Sequence, residues 1–249
     1  MTPQLAVVVP CYNESERLRP SPLIEAARKR PDWCWILVDD GSSDNTASLL
    51  ESLVPQLGQA RVLQLGHNRG KAEAVRQGML AGLGCGASWV GFLDADLATP
   101  PSELERMLEA GTTDAKAMVW GCRVLRIGAT IRRDALRHYG GRLVAAAISL
   151  LLRLPTYDTQ CGAKIFRAEI LPPILERPFH SRWLFDVEIA ARYRNQHGLE
   201  QFLHSVLELP LLHWVDPGGS RLKPIDLVRL PQDLWKLHRM YNLEGRHFG

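Results

Sequence analysis

The first half of the chain alternates short apolar runs with longer amphipathic ones. Leu5-Ala-Val-Val-Val9 is uninterrupted and rich in β-branched residues, the pattern of a parallel strand buried on both faces. Pro10 is expected to end it. A helical stretch covers Pro22 to Arg30. Trp33 to Val38 predicts a second strand, closed by Asp39-Asp40-Gly41-Ser42, and Ser43 or Asp44 would cap the next helix, to about Leu53. Arg61 to Leu65 reads as a third strand. Lys71 to Gly82 follows as a helix with apolar residues at Ala74, Val75, Met79 and Leu80. Trp89 to Leu93 predicts the fourth strand. Ser102 is expected to cap Glu103 to Ala110, with Glu105 completing a capping box. Ala117 to Gly121 makes a fifth strand. This alternation with short connections predicts an α/β fold, a mostly parallel central sheet with helices on both faces.

In such sheets ligands bind outside the carboxyl ends of the strands. Those ends read Pro10-Cys-Tyr-Asn-Glu14, Asp39-Asp40-Gly-Ser42 and Asp94-Ala-Asp96, so the polar residues collect on one edge. Asp94 and Asp96 are two residues apart and face the same side of an extended segment. Two hard carboxylates so placed can hold Mg²⁺ or Mn²⁺ on a diphosphate, although a solvated loop has the same spelling. A carboxylate at Asp39 or Asp40 can accept a base N–H or a ribose hydroxyl; a turn with a helix cap also explains the segment. Tyr12 could stack on a base with Glu14 beside it, or the segment is a helix-entry loop capped by Asn13. Asn68-Arg-Gly-Lys71 offers close backbone approach at Gly70 and a phosphate partner at Lys71, or only a helix start with a solvated lysine. Gly82-Leu-Gly-Cys-Gly-Ala87 matches a dinucleotide fingerprint in the wrong context, after a helix and before a strand, and reads as a helix C-terminal turn.

The second half changes character. From Arg123 to Arg153 there are seven arginines and a single acid, Asp134. Arginine forks suit phosphate oxygens, which makes Arg123, Arg132, Arg133 and Arg137 candidate anion partners. The neighbouring run Leu143 to Leu154 is apolar nearly all round. Beside the arginines it predicts an interfacial helix on anionic lipid, or else a buried core helix with a basic flank. Asp158-Thr-Gln-Cys-Gly162 precedes a strand-like Ala163 to Phe166. A helix is expected around Asp186 to Tyr193, a Gly/Pro-rich loop from Trp214 to Pro224, and a basic amphipathic stretch from Ile225 to Tyr241.

Composition narrows the class. The chain has 249 residues, 46% hydrophobic and 23% charged, enough for a full core. A net charge of +3 is too mild to indicate nucleic acid. The five cysteines are scattered, with no CxxC pair, and point to a reducing, cytosolic compartment without zinc or structural disulfides. Neither a signal peptide nor a transmembrane segment is expected.

Taken together, the motifs resemble the family 2 glycosyltransferases of GT-A fold, and among them the polyprenyl-phosphate sugar synthases. The ordered set is Val9-Pro-Cys-Tyr-Asn-Glu14, Val38-Asp-Asp-Gly-Ser42, Asn68-Arg-Gly-Lys71, Asp94-Ala-Asp96, Gly121-Cys-Arg123, Asp158 to Phe166 and Trp183-Leu-Phe-Asp-Val-Glu188. Asp94-Ala-Asp-Leu-Ala-Thr99, the Asp158 segment, Trp183 to Glu188, and Trp214 with Gly219-Ser-Arg221 are similar to the dolichyl-phosphate glucosyltransferases. Mannose-transferring relatives often carry Gln two positions after the second Asp to help hold metal; Ala98 stands there, which favours UDP-glucose over GDP-mannose.

The resemblance implies a single domain, residues 1–121 holding the nucleotide-sugar and 122–249 the acceptor. Pro10, Tyr12, Glu14, Val38, Asp39 and Asp40 would hold base and ribose. Asp94, Ala95, Asp96 and Lys71 would hold diphosphate, with Asp94 and Asp96 on Mg²⁺ or Mn²⁺. Arg123, Arg132 and Arg137 would face the acceptor phosphate or the donor diphosphate, and Ser220, Arg221 and Lys223 would close over the donor. The implied reaction is inverting, metal-dependent transfer of a hexose to a polyprenyl phosphate. A hydroxyl acceptor would need a general base, and Asp158 is the candidate; Asp186 and Glu188 would support the site or the acceptor side. Eukaryotic members carry an N-terminal anchor and many bacterial relatives C-terminal transmembrane helices. This sequence shows neither, so contact with the cytoplasmic membrane face is expected to be peripheral. A soluble phosphorylated or hydroxylated acceptor is the alternative, and a silent nucleotide-sugar sensor a third reading.

Overall fold

A computed structural model describes residues 2–132, 148–149, 156–216 and 224–241. In chain order the elements are β1 (Leu5–Cys11), α1 (Pro20–Lys29), β2 (Trp33–Asp39), α2 (Thr46–Leu57), β3 (Ala60–Gln64), α3 (Lys71–Leu83), β4 (Trp89–Leu93), α4 (Ser102–Thr113), β5 (Met118–Cys122) and β6 (Thr130–Arg132). Then follow β7 (Ala163–Arg167), α5 (Leu171–Leu175), α6 (Phe185–Ser205), β8 (Val206–Pro210), β9 (His213–Val215) and α7 (Pro224–Tyr241). The helical path of α6 breaks at Gly198 (φ 84°).

Seven strands form the central sheet in the order β3-β2-β1-β4-β7-β5-β8. Every pairing is parallel except those of β7, which runs antiparallel between β4 and β5. A small second sheet pairs β6 with β9. Alternation along the strands divides the core into two layers. Ala6, Val8, Ile36 and Val38 pack under α3, α5, α6 and α7. Leu5, Val7, Val9, Trp35 and Leu37 pack under α1, α2 and α4. Burial on both faces is why these strands read as continuous apolar runs.

Two local expectations are corrected. Pro10 does not end β1. Pairing with β4 stops at Val8 and Phe92, while pairing with β2 continues through Pro10 and Cys11. A missing amide is tolerated where the strand has one neighbour. Ser102 is not a cap: the Pro100 and Pro101 carbonyls accept the Glu103 and Leu104 amides, and Ser102 lies inside the helix. Only Ile148 and Ser149 of the apolar Leu143–Leu154 run are described, and Ile148 is fully buried in the α3 layer, so there the run packs inward.

Candidate active site

β4 is buried along its whole length and delivers Asp94 to the carboxyl edge of the sheet. The Asp94 amide donates to the Gly162 carbonyl at 2.9 Å, and Leu97 turns the chain with φ 51°. A side chain at Gly162 would collide with the Asp94 carboxylate, so only glycine lets the 159–162 segment lie against it. Lys71, at the start of α3, places Nζ 2.6 Å from Asp94 Oδ1. Desolvation alone would lower this ammonium; the carboxylates of Asp94, Asp186 and Asp96 outweigh it and raise it. Asp96 accepts the Ala98 amide at 3.0 Å. Burial and the neighbouring Asp94 push its carboxyl up.

At the end of β2, Asp39 and Asp40 are buried and both carboxylates hold loops. Asp39 accepts the amide and hydroxyl of Ser42. Asp40 accepts the Arg69 amide at 2.7 Å and the Gly70 amide at 2.8 Å. Burial raises the Asp40 carboxyl, against the pull of those amides. Asp40 thus pins the segment that carries Lys71. Gly70 has φ 94°, and a side chain there would meet the Arg182 guanidinium. Arg182 donates to Asn68 Oδ1 at 2.6 Å and ties this loop to the start of α6.

The other nucleotide candidates divide by burial. Tyr12 is exposed at the edge, and the buried Glu14 is fixed through its amide to Thr46 Oγ1 at 2.7 Å. Asn13 accepts the Ser43 amide at 2.9 Å, joining the first two strand-end loops. Val38 and Ala95 are buried in the two core layers, so their backbone alone is available to a ligand. Pro10 is half-buried.

Arg123 follows β5 and forms a two-pronged pair with Asp158: Nε to Oδ2 is 2.6 Å and Nη2 to Oδ1 is 2.7 Å. Its guanidinium also lies over the Trp214 ring, 5.3 Å from the centroid, and feels the Asp94 charge. Burial works to raise the Asp158 carboxyl, but the Arg123 guanidinium wins and holds it at about 2. A carboxylate so held is a poor proton acceptor at neutral pH, which removes the physical basis for Asp158 as a general base. Glu208 on β8 accepts the Tyr157 and Asp158 amides and fixes the segment from below.

The pair has a pH signature. A carboxyl depressed from 3.8 to about 2 contributes stability that is present above pH 4 and lost as pH falls through 2. The contribution is on the order of 2 kcal/mol. Denaturant unfolding is expected to show it as a loss of stability from pH 4 to 2 that is flattened in Asp158→Asn.

Sequence reasoning missed the residue beneath this segment. Lys164 on β7 is fully buried; its Nζ donates to the Thr159 carbonyl at 2.8 Å, the Cys161 carbonyl at 2.7 Å and Asp186 Oδ2 at 3.1 Å. Asp186 also accepts Gln160 Nε2 at 2.8 Å. Glu188 faces elsewhere, holding Arg192 Nη2 at 2.7 Å and the Tyr241 hydroxyl at 2.8 Å. It supports α5 and α7 rather than the strand ends. Of the remaining candidates, Arg132 ends β6, while Arg137, Ser220, Arg221 and Lys223 lie outside the described residues.

Asp94 and Asp96 suit Mg²⁺ or Mn²⁺ as hard oxygen donors on a shielded turn. Among the described residues no cluster of three His, Cys, Asp or Glu is arranged to hold a metal.

Residues 6–174 match Glycosyl transferase family 2. The chain belongs to this family. The matched span takes in all three strand-end motifs and the Arg123–Asp158 pair. This family 2 glycosyltransferase is 32% identical over 240 residues to a dolichyl-phosphate beta-glucosyltransferase of Trichomonas vaginalis, covering 91% of this chain and 68% of that one. It is 31% identical over 267 residues to the dolichyl-phosphate beta-glucosyltransferase of Saccharomyces cerevisiae, covering 96% and 75%. For the Homo sapiens enzyme of the same name the figures are 31% over 263 residues, 96% and 76%. Among solved structures, glucosyl-3-phosphoglycerate synthase of Mycobacterium tuberculosis with Mn²⁺ and UDP-glucose superposes with a TM-score of 0.69 at 18% identity, over 96% of this chain and 79% of that one. Its complex with Mn²⁺, UDP and glucosyl-3-phosphoglycerate gives 0.66 at 19% identity, over 96% and 80%. At such identity the likeness is one of fold, the GT-A fold that the motifs implied.

Proposed function

We propose that this glycosyltransferase moves glucose from UDP-glucose, with inversion, onto the phosphate of a dolichyl-type polyprenyl phosphate. The relatives named dolichyl-phosphate beta-glucosyltransferase match over nine-tenths of the chain, which supports the glucosyl group and the acceptor together; the structural neighbour with bound UDP-glucose supports the donor. The observation that carries a phosphate acceptor is the Arg123–Asp158 pair. Asp158 is held ionised by Arg123 and takes no proton. A phosphate monoester, with a second pKa of about 6, is already anionic and needs none. Its oxygen attacks the anomeric carbon while UDP departs from the opposite face.

The chain's task is then positioning and charge screening. Pro10, Tyr12, Glu14, Val38, Asp39 and Asp40 frame the base and ribose. Asp94 and Asp96 would hold Mg²⁺ or Mn²⁺, which supplies neutralisation of the charge gathering on the leaving diphosphate. Lys71 orients the Asp94 carboxylate and lends its charge to the diphosphate. Arg123, fixed by Asp158, brings its positive charge to the acceptor phosphate, with Arg132 and Arg137 following it in sequence. Ser220, Arg221 and Lys223 cover the donor.

Membrane contact is peripheral in this reading, at the cytoplasmic face. No described helix is long and apolar enough to cross a membrane. The loop after Arg123 instead exposes Leu125 at 75% and Ile127 at 104%, beside Arg126, an apolar tip with a basic neighbour suited to an anionic lipid surface.

A second reading keeps the donor and replaces the lipid by a soluble phosphate, as the name glucosyl-3-phosphoglycerate synthase indicates for the structural neighbour. UDP release by the purified protein with Mg²⁺ or Mn²⁺ separates the two. With UDP-glucose, a short polyprenyl phosphate is expected to raise release at least tenfold, and 3-phosphoglycerate to leave it unchanged. GDP-mannose is expected to give no stimulated release of GDP. Stimulation by 3-phosphoglycerate alone transfers the assignment to the soluble acceptor.

A further inference from the structure

The cysteines are scattered along the sequence, yet two of them meet in space. Cys34 stands at the amino end of β2 and Cys85 in the turn between α3 and β4, 51 residues apart, with their Sγ atoms 2.9 Å from each other. Both lie on the α3 side of the sheet, Cys34 within the core layer and Cys85 packed against it. Cys34 is buried and Cys85 half-buried. The Arg61 guanidinium lies 3.2 Å from Cys85 Sγ. Cys85 is the more accessible of the two sulfurs and so the group an oxidant meets first, while burial and the adjoining thiol push Cys34 up to about 12.

We propose that Cys34 and Cys85 form a thiol-oxidation site that closes to a disulfide with a small-molecule disulfide such as oxidised glutathione. Cys85 gives up its proton and attacks one sulfur of the oxidant, whose S–S bond breaks; the departing sulfur takes up a proton and leaves as one thiol. Cys34 gives its proton to solvent and attacks Cys85 Sγ of the mixed disulfide, and the second thiol leaves. The protein loses two electrons and two protons, and the oxidant gains them.

The bond would tie β2 to the start of β4 across the amino ends of the strands. Asp39 and Asp94 sit at the other end; Asp39 is five extended residue steps beyond Cys34, about 17 Å. The expected consequence is therefore added stability with unchanged catalysis. Closing a loop of this length restricts the unfolded chain enough to raise the unfolding midpoint by about 5–10 °C.

The test oxidises the full chain with glutathione disulfide, alkylates the remaining thiols in denaturant and maps the peptides by mass. Three alkylated cysteines and a Cys34–Cys85 cross-linked peptide are expected, reversed by dithiothreitol together with the rise in midpoint. Cys85→Ser is expected to lose both effects and keep its UDP release. Five alkylated cysteines, a stable glutathione adduct on Cys85, or a cross-link through another pair would each overturn the proposal.

Discussion

Asp96→Ala is expected to reduce glucosyl transfer roughly a thousandfold or more while the protein remains folded, the scale of losing a metal's stabilisation of a leaving diphosphate. The turn that carries Asp96 is held by contacts that do not involve its side chain: the Asp94 amide on Gly162, the Leu97 amide on the Asp94 carbonyl and the Val215 amide on the Ala98 carbonyl. Removing the carboxylate gives up one hydrogen bond, to the Ala98 amide, and relieves crowding with Asp94. Thermal unfolding is therefore expected within a few degrees of wild type, about 1 kcal/mol. The expected chemical loss is large because, under the proposed function, the two carboxylates would be the hard donors to the metal. Mn²⁺ titration in the presence of UDP, followed by electron paramagnetic resonance, checks the cause: wild type binds and the variant does not. Transfer within tenfold of wild type would place the metal on other residues.

What was legible in the sequence follows the physics of burial. β1, β2 and β4 are covered on both faces, so their apolar runs marked them without ambiguity, and parallel order placed the acidic strand ends on one edge. The antiparallel entry of β7 was not legible, because Ala163-Lys-Ile-Phe-Arg167 carries no record of which strands it joins. The acidic motifs were found, but not what their side chains do. Asp40 reads as a ligand for ribose, and nothing in its motif signalled that it also holds two backbone amides of the Lys71 segment. Asp158 looked like a base and proves to be paired with Arg123, a partner 35 residues away. Glu208 left no signal, since a lone charge between apolar residues usually marks a solvated face, and Arg182, between Ser181 and Trp183, stood out no more. Glu103, read only as the first residue of a helix, accepts the Leu212 and His213 amides and so fixes β9 beside the site.

Lys164 is the strongest case of a hidden role, and its replacement carries the largest expected cost in stability. The ammonium has no access to water and is satisfied by two carbonyls and one carboxylate. Lys164→Met keeps the volume and leaves Asp186 as a buried carboxylate without its cation. A loss of about 3–5 kcal/mol is expected on urea unfolding at neutral pH. The pH dependence gives the sign of the mechanism. Burial already raises the Asp186 carboxyl, and losing Lys164 raises it further. A group with a raised folded pKa stabilises most at low pH and loses that contribution as pH rises through the folded value. The variant is accordingly expected to be more stable, relative to wild type, at pH 5 than at pH 8. A loss below 1 kcal/mol, or one independent of pH, would refute the buried ion pair. Adding Asp186→Asn removes the stranded charge and should recover part of the stability. It should not recover transfer, because the Thr159 and Cys161 carbonyls remain unanchored and the 159–162 segment no longer sets the position of Asp94. Partial rescue of folding without rescue of activity separates a residue that merely stabilises β7 from one that positions the site.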